Sequence, residues 1–337
     1  MRHRPHFAIR LTQCAVLALG LAPAARAADR VTYVLDWLPS GEETFPYIAV
    51  REGLFAREGL DVTIQVGRGS TDVVTKLATG AAQFGSGGIG ALMQAAAQNQ
   101  PAGVPVKAVL SIFNTPPDAI FAIKGGPVTS IQSLKGMKVG TATFTSSNVL
   151  WPVVARAAGL DPASVTLVKT DPTALAPLLA SGKVDAIINW VTSGPGIEAV
   201  VKQAGHEMVA YPWTAAGLSG YGLSLFASDK VMREQPDIVA RFTRAYAAAV
   251  QKSIADCHAG AADLHAEVPD VEADTAEEEC KTTIPLIRNA VSERDGFGTF
   301  TPALLRETWD WTAKSQDLKP DQIDPESVVN HSFMPHS

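Results

Sequence analysis

Short β-branched runs alternate with helical periodicities from residue 31 onward, and such alternation builds a parallel sheet covered by helices. Strands are predicted at Val31 to Leu35, Val62 to Val66, Gln83 to Gly85 and Val106 to Phe113, with helices over Pro46 to Glu58, Thr71 to Thr79 and Ile89 to Asn99. The pattern breaks at Asn114-Thr115-Pro116-Pro117 and then restarts. Strands follow at 119–123, 137–141, 165–169 and 184–190, with a helix from about Ser147 to Ala158. Both halves carry one phrase, Leu77-Ala78-Thr79-Gly80-x-x-Gln83 and Leu179-Ala180-Ser181-Gly182-x-x-Asp185, a helix ending at glycine before a buried strand. Two related α/β lobes are therefore expected, in keeping with 337 residues, more than one compact core usually organises.

After a loop from Tyr211 to Gly220, a strand at Tyr221 to Ala227 leads into helices. In Pro236 to Cys257 the residues Ile238, Val239, Phe242, Tyr246, Ala249 and Val250 recur at helical spacing. This tail has few strand signals and is expected to pack back onto the first lobe, with Glu277-Glu278-Glu279 as a solvated helix face. The expected division is residues 28–113 plus 222–337 for one lobe and 114–221 for the other. The two crossings would form a two-stranded hinge.

Arg2, Arg4 and Arg10 precede an apolar run from Cys14 to Ala22, and Ala25-Arg26-Ala27 has the small-x-small form of a cleavage site. Residues 1–27 thus read as a cleavable signal peptide, and no later stretch is long and apolar enough to span a bilayer. Of 28 Lys plus Arg against 34 Asp plus Glu, cleavage removes four arginines, leaving 24 − 34 = −10. That charge, with no basic run, argues against nucleic acid as a partner. Export leaves Cys257 and Cys280 with one possible pairing, and an oxidising compartment favours a structural disulfide over two free buried thiols.

Gly85-Ser86-Gly87-Gly88-Ile89-Gly90 matches a dinucleotide fingerprint, but no Asp or Glu lies between Asp72 and Asp118 to hold a ribose hydroxyl. What survives is a helix start at Ser86 and Gly87 that either faces a ligand or is a tight turn needing glycine. Thr143 to Asn148 holds the equivalent place in the second half, where Ser146, Ser147 and Asn148 either cap a helix or reach a ligand. Facing lobes would bring both junctions to one cleft, beyond the C-terminal ends of the strands. Aromatic residues gather at strand ends: Trp37, Trp190, Trp213 and Tyr221. Trp37 opens the loop Leu38 to Glu43, which favours ligand contact over packing. The five histidines after the leader show no H-x-x-x-H spacing, and no G-x-S-x-G elbow occurs.

Residues 34–64, VLDWLPSGEETFPYIAVREGLFAREGLDVTI, resemble the opening of the NMT1/THI5-like solute-binding proteins, in which an Asp-Trp-x-Pro loop precedes a helix and a Gly-Leu-x-Val strand. LATGAAQFG at 77–85, SIQSLKGMKVGT at 130–141, LLASGKVDAIINW at 178–190 and residues 223–250 are similar to that group in the same order. The resemblance implies a type II periplasmic-binding-protein fold: two lobes, each a mixed sheet flanked by helices, with the ligand in the interlobe cleft. It implies an extracytoplasmic component of an ABC importer, a periplasmic monomer that passes a small molecule to a permease and needs no cofactor or metal. Fungal members of the group are enzymes that make the thiamine pyrimidine, and this chain lacks their cysteine-rich run and reactive histidine.

A thiamine pyrimidine precursor, or a similar aromatic nitrogen heterocycle, is the cargo the resemblance implies. Candidate contacts are Asp36, Trp37, Glu42, Glu43 and Tyr47, then Ser86 and Gly87, then Ser146, Ser147 and Asn148, and finally Asn189, Trp190 and Tyr221. Trp37 with Tyr221 or Trp190 would sandwich a ring. Pyrimidine binders continue Asp-Trp-x-Pro with Asn-x-x-His-x-Gly, whereas Ser40 to Phe45 reads SGEETF. Asp36, Trp37 and Pro39 carry over and the Asn and His do not. Alternatives are sulfonate, nitrate, riboflavin or aromatic-acid binding in the same family, a secreted hydrolase, or a pyrimidine-synthase-like enzyme. An anion carrier would use bases such as Arg68 or Lys169, and Glu42 and Glu43 disfavour an anion.

Overall fold

The computed structural model describes residues 27–334, so residues 1–26 of the predicted leader lie outside the described residues. Two five-stranded mixed sheets form two lobes. The first contains β1 (Asp29–Val34), β2 (Leu60–Gln65), β3 (Phe84–Gly88) and β4 (Val106–Ser111). The second contains β5 (Asp118–Ile123), β6 (Lys138–Ala142), β7 (Thr166–Thr170), β8 (Ala186–Trp190) and β9 (Met208–Pro212). The chain then returns to the first sheet as β10 (Leu223–Ser228).

The orders β2-β1-β3-β10-β4 and β7-β6-β8-β5-β9 correspond strand for strand. In each sheet the strand that follows a crossing, β5 or β10, runs antiparallel to its neighbours. The repeated phrase plays one part in both. Gly80 and Gly182 take positive φ, +78° and +65°, to end their helices. Gln83 Oε1 then accepts the Thr32 N–H at 2.7 Å, and Asp185 Oδ2 accepts the Lys138 N–H at 2.8 Å. Each side chain thereby seals the inner parallel pair, β1 with β3 or β6 with β8, at its start.

Several expectations need correction. The helix expected over Pro46 to Glu58 is two helices, Phe45–Arg51 and Leu54–Arg57, because Gly53 at φ +68° breaks it. β3 runs on to Gly88, so Ser86 and Gly87 lie within a strand and the helix starts only at Ile89. A Cβ at Gly85 would meet Val73 at 2.6 Å and one at Gly87 would meet Phe226 at 2.7 Å, which makes these glycines packing requirements. The Gly88 and Ile89 N–H groups are spent on Ser70 Oγ at 2.9 Å and the Gly222 carbonyl at 3.1 Å. Tyr211, read as loop, belongs to β9, an edge strand beside β5 in which Pro212 ends the short apolar run Met208 to Tyr211.

Helix Pro236–Ala255 packs on the first lobe, where Phe242 stacks on Phe84 with ring centres 3.9 Å apart. The rest of the tail touches both lobes, not the first alone. Helix Ala273–Ile287 packs against the turn Gly41–Glu43 and against helix Gly194–Gln203 of the second lobe. Helix Pro302–Ser315 lies on helix Ile89–Gln98 of the first lobe and Ser147–Ala157 of the second, and Gln316 donates to the Val149 carbonyl at 2.6 Å. Cys257 and Cys280 are joined by a disulfide, Cα atoms 5.6 Å apart, which ties helix Cys257–Glu267 to helix Ala273–Ile287.

Candidate functional site

β1 ends at Val34, and the chain turns through Asp36 at the C-terminal edge of the first sheet. The turn is stapled by its backbone. The Asp36 N–H reaches Ser86 Oγ and Glu43 Oε2, both at 3.0 Å, and the Asp36 carbonyl accepts the Gly69 N–H at 2.8 Å. Ser70 Oγ donates to Asp36 Oδ1 at 2.7 Å. Beneath this, the Tyr33 hydroxyl lies within hydrogen-bond distance of Glu43 Oε1 (3.0 Å), Ser86 Oγ (2.8 Å) and the Tyr246 hydroxyl (2.8 Å).

Adjacent acids on the turn Gly41–Glu43 face different ways. Glu43 is held within that first-lobe network. Glu42 crosses to the second lobe, where one oxygen accepts from Thr192 Oγ1, while its other oxygen, Oε1, is buried with no hydrogen-bond partner. Two further acids complete the group. Asp118 opens β5 and accepts from Ser147 Oγ at 2.6 Å. Glu279, on helix Ala273–Ile287, accepts the Gly41 N–H at 2.8 Å.

Among the described residues, the buried carboxyl groups are Asp36, Glu42, Glu43, Asp118 and Glu279, and no lysine, arginine or histidine is buried. Five acids without a buried base are costly to ionise, and burial is the leading cause in every case. It pushes Asp118 up to about 6 and Glu279 up to about 7. Asp36 and Glu42 rise well above the carboxylate range, burial being reinforced by repulsion from Glu43 and, for Glu42, from Asp36 and Glu279. Glu43 is also raised by burial, opposed by Ser86, Tyr33 and the Asp36 N–H, which favour its charged form. Such a cluster either holds protons or receives a ligand rich in N–H donors or positive charge. Among the described residues, no group of three or more His, Cys, Asp or Glu is placed to hold a metal ion.

The model of the NMT1/THI5-like family matches residues 41–259. The chain belongs to this family. It is 27% identical over 220 residues to the formylaminopyrimidine-binding protein of Halalkalibacterium halodurans, a match covering 65% of this chain and 64% of that protein, just under two thirds of its length. It is 25% identical over 247 residues to the 4-amino-5-hydroxymethyl-2-methylpyrimidine phosphate synthase THI13 of Saccharomyces cerevisiae, covering 68% of each chain. The fold is that of the alkanesulfonate-binding protein SsuA from Xanthomonas axonopodis pv. citri, with a TM-score of 0.69 at 16% identity over 91% of this chain and 99% of that one.

In this family member the structure brings Asp36, Glu42, Glu43 and Ser86 together. Ser146 joins them at the lobe contact: a Cβ on Gly88 would meet its Oγ at 2.6 Å. Trp37 is 8% exposed and packs with Phe121, Leu175 and Ile187 of the second lobe. Tyr47 is buried in the first-lobe core, and its burial raises the phenol's pKa. Asn148 spends its amide on Thr141 and the Ala142 carbonyl, at 2.8 and 2.7 Å, and Asn189 accepts the Trp190 N–H at 2.8 Å. Trp190 packs edge-on to Phe113, centroids 6.2 Å apart.

Tyr221 stands apart from the acids. Its hydroxyl accepts the Thr301 N–H at 2.8 Å and its ring packs edge-on to Phe300, in a different core cluster from Trp37. The structure therefore does not pair Trp37 with Tyr221 across a ring. Arg68 and Lys169 are both exposed. Arg68 lines a cleft of about 400 Å³ at the rim with Leu38, Lys76 and Asp171.

Sequence reasoning missed Ser70, Asp118, Thr192 and Glu279. Glu279 was expected in solvent and is 6% exposed. Its helical spacing gave the signal: Ala276, Cys280, Thr283 and Ile287 mark the buried face, and Glu279 falls beside Cys280 on it.

Proposed function

We propose that this chain is the extracytoplasmic solute-binding component of an ABC importer and that it captures a small nitrogen heterocycle bearing amino groups or positive charge, such as a thiamine pyrimidine precursor. One observation carries the reading: the acids buried where the lobes meet have no basic counterpart, and Glu42 keeps an oxygen without a partner. A buried acceptor left open is expensive unless something donates to it. An exocyclic amine or a protonated ring nitrogen does so. A sulfonate would add negative charge to a group of acids already held toward their neutral forms, so the fold likeness to an alkanesulfonate binder does not extend to its cargo.

The pyrimidine-binding relative supports transport over synthesis, and we read this chain as a binding protein, not an enzyme. Export by cleavage near Ala28, delivery to a permease and a monomeric state complete the proposal. We assign residues 28–113 and 222–337 to one lobe and 114–221 to the other, with the crossings as the hinge. Native mass spectrometry of protein purified without refolding tests the assignment. A bound mass matching an amine-bearing heterocycle is expected; a bound sulfonate, or turnover of the bound molecule, overturns it.

A further inference from the structure

Helix Ala273–Ile287 meets both lobes, and one of its side chains enters the seam. Glu279 Oε2 accepts the Gly41 N–H at 2.8 Å. Its other oxygen lies against Gly196, where an added Cβ would stand 2.6 Å from Oε1. Gly196 is the third residue of helix Gly194–Gln203, so its N–H has no partner within that helix and helps to hold the Glu279 carboxyl in its charged form. The approach on the other side is equally close: a Cβ on Gly41 would fall 1.8 Å from the Ala276 carbonyl oxygen. The disulfide at Cys280, the next residue, fixes this helix to its neighbour.

We propose that Glu279 is a positioning residue that pins the lobes together: one carboxyl group holds the backbone of the Glu42 turn on one side and the start of the second-lobe helix Gly194–Gln203 on the other. Glu42 itself touches Thr192 just before that helix, so the pin sets where Glu42 stands when the lobes meet. The inference rests on the functional reading above only in treating Glu42 as ligand-facing. The pin is tested without a ligand, so its failure and the failure of that reading are distinct.

The experiment is hydrogen exchange, read by mass spectrometry on the ligand-free mature protein at pH 8, in segments around 40–44, 194–198 and 273–287. Glu279→Gln keeps the size but replaces one acceptor oxygen with a donor group and removes the negative charge from the other, so both contacts weaken. Exchange around both Gly41 and Gly196 should rise at least about tenfold, the factor for losing a charge-assisted hydrogen bond. Helix 273–287 should keep its protection, which a general loss of structure would not allow. Gly196→Ala leaves Glu279 in place and serves if the first variant folds poorly. Its new Cβ displaces the carboxylate and should loosen the same two segments. Because both changes break one contact, the double variant should exchange no faster than the more affected single one. Glu278→Gln, at an exposed neighbour paired with Lys281, should change nothing. Unchanged exchange at either glycine in Glu279→Gln, or additive effects in the double variant, would overturn the proposal.

Discussion

Taking the ligand-free protein from pH 5 to pH 8 should weaken it, because the acids at the lobe seam bind protons more tightly in the folded chain than in the unfolded one. Burial places Asp118 at about 6 and Glu279 at about 7, against ordinary values of roughly 4. A raised folded pKa means that the folded state carries the extra proton. Its contribution to stability is complete below the unfolded pKa and is lost as pH rises through the folded one. Over this window the two groups together cost about 4 kcal/mol, and Asp36, Glu42 and Glu43 act in the same direction. For a chain of this length that is a fall of about 6 °C in melting temperature. Thermal melts of wild type and of Asp118→Asn/Glu279→Gln across the pH range isolate the effect, since all other groups titrate in both. The wild type should lose stability with rising pH relative to the variant. Parallel profiles, or a wild type that gains stability, would show that these carboxyls are already ionised and compensated.

Glu42→Gln should leave the melting temperature unchanged or raised while weakening an amine-bearing pyrimidine by about 10- to 100-fold, the worth of a hydrogen bond to a charged acceptor; melts and titration calorimetry read the two halves separately. Trp37→Ala should cost about 3 kcal/mol in urea unfolding without ligand, because the indole packs with Phe121 and Leu175, and an unchanged midpoint would remove it from that core. Cys257→Ser/Cys280→Ser should destabilise the protein by about 3 kcal/mol in the same assay, the chain-entropy figure for cysteines 23 residues apart.

The architecture was readable because it is written in periodicity. Alternating strands and helices, the repeated Leu-Ala-Thr/Ser-Gly phrase and the Pro-Pro break at 116–117 each have one local physical cause. β9 escaped because its apolar run, Met208 to Tyr211, is short and ends at Pro212, a residue that a sheet accepts at an edge but that reads as the start of a loop. The site was half readable. Asp36, Glu42, Glu43 and Ser86 follow one another closely around β1 and β3, whereas Asp118, Thr192 and Glu279 reach the seam only through tertiary packing. Three consecutive glutamates look solvated by composition, although the 3.6-residue period of their helix turns the third inward. Tyr221 is the opposite case: an aromatic at a strand end looks like a ligand platform, and the partners that pack it, Phe300 and the Thr301 N–H, come from the distant tail.

Titration calorimetry of the wild-type protein with an amino-substituted pyrimidine and with an alkanesulfonate, each in two buffers of different ionisation enthalpy, tests the central claim directly. Saturable binding of the pyrimidine, with protons released as the buried acids ionise against it, and no heat from the sulfonate is the expected result. Saturable binding of the sulfonate with a silent pyrimidine would contradict the account.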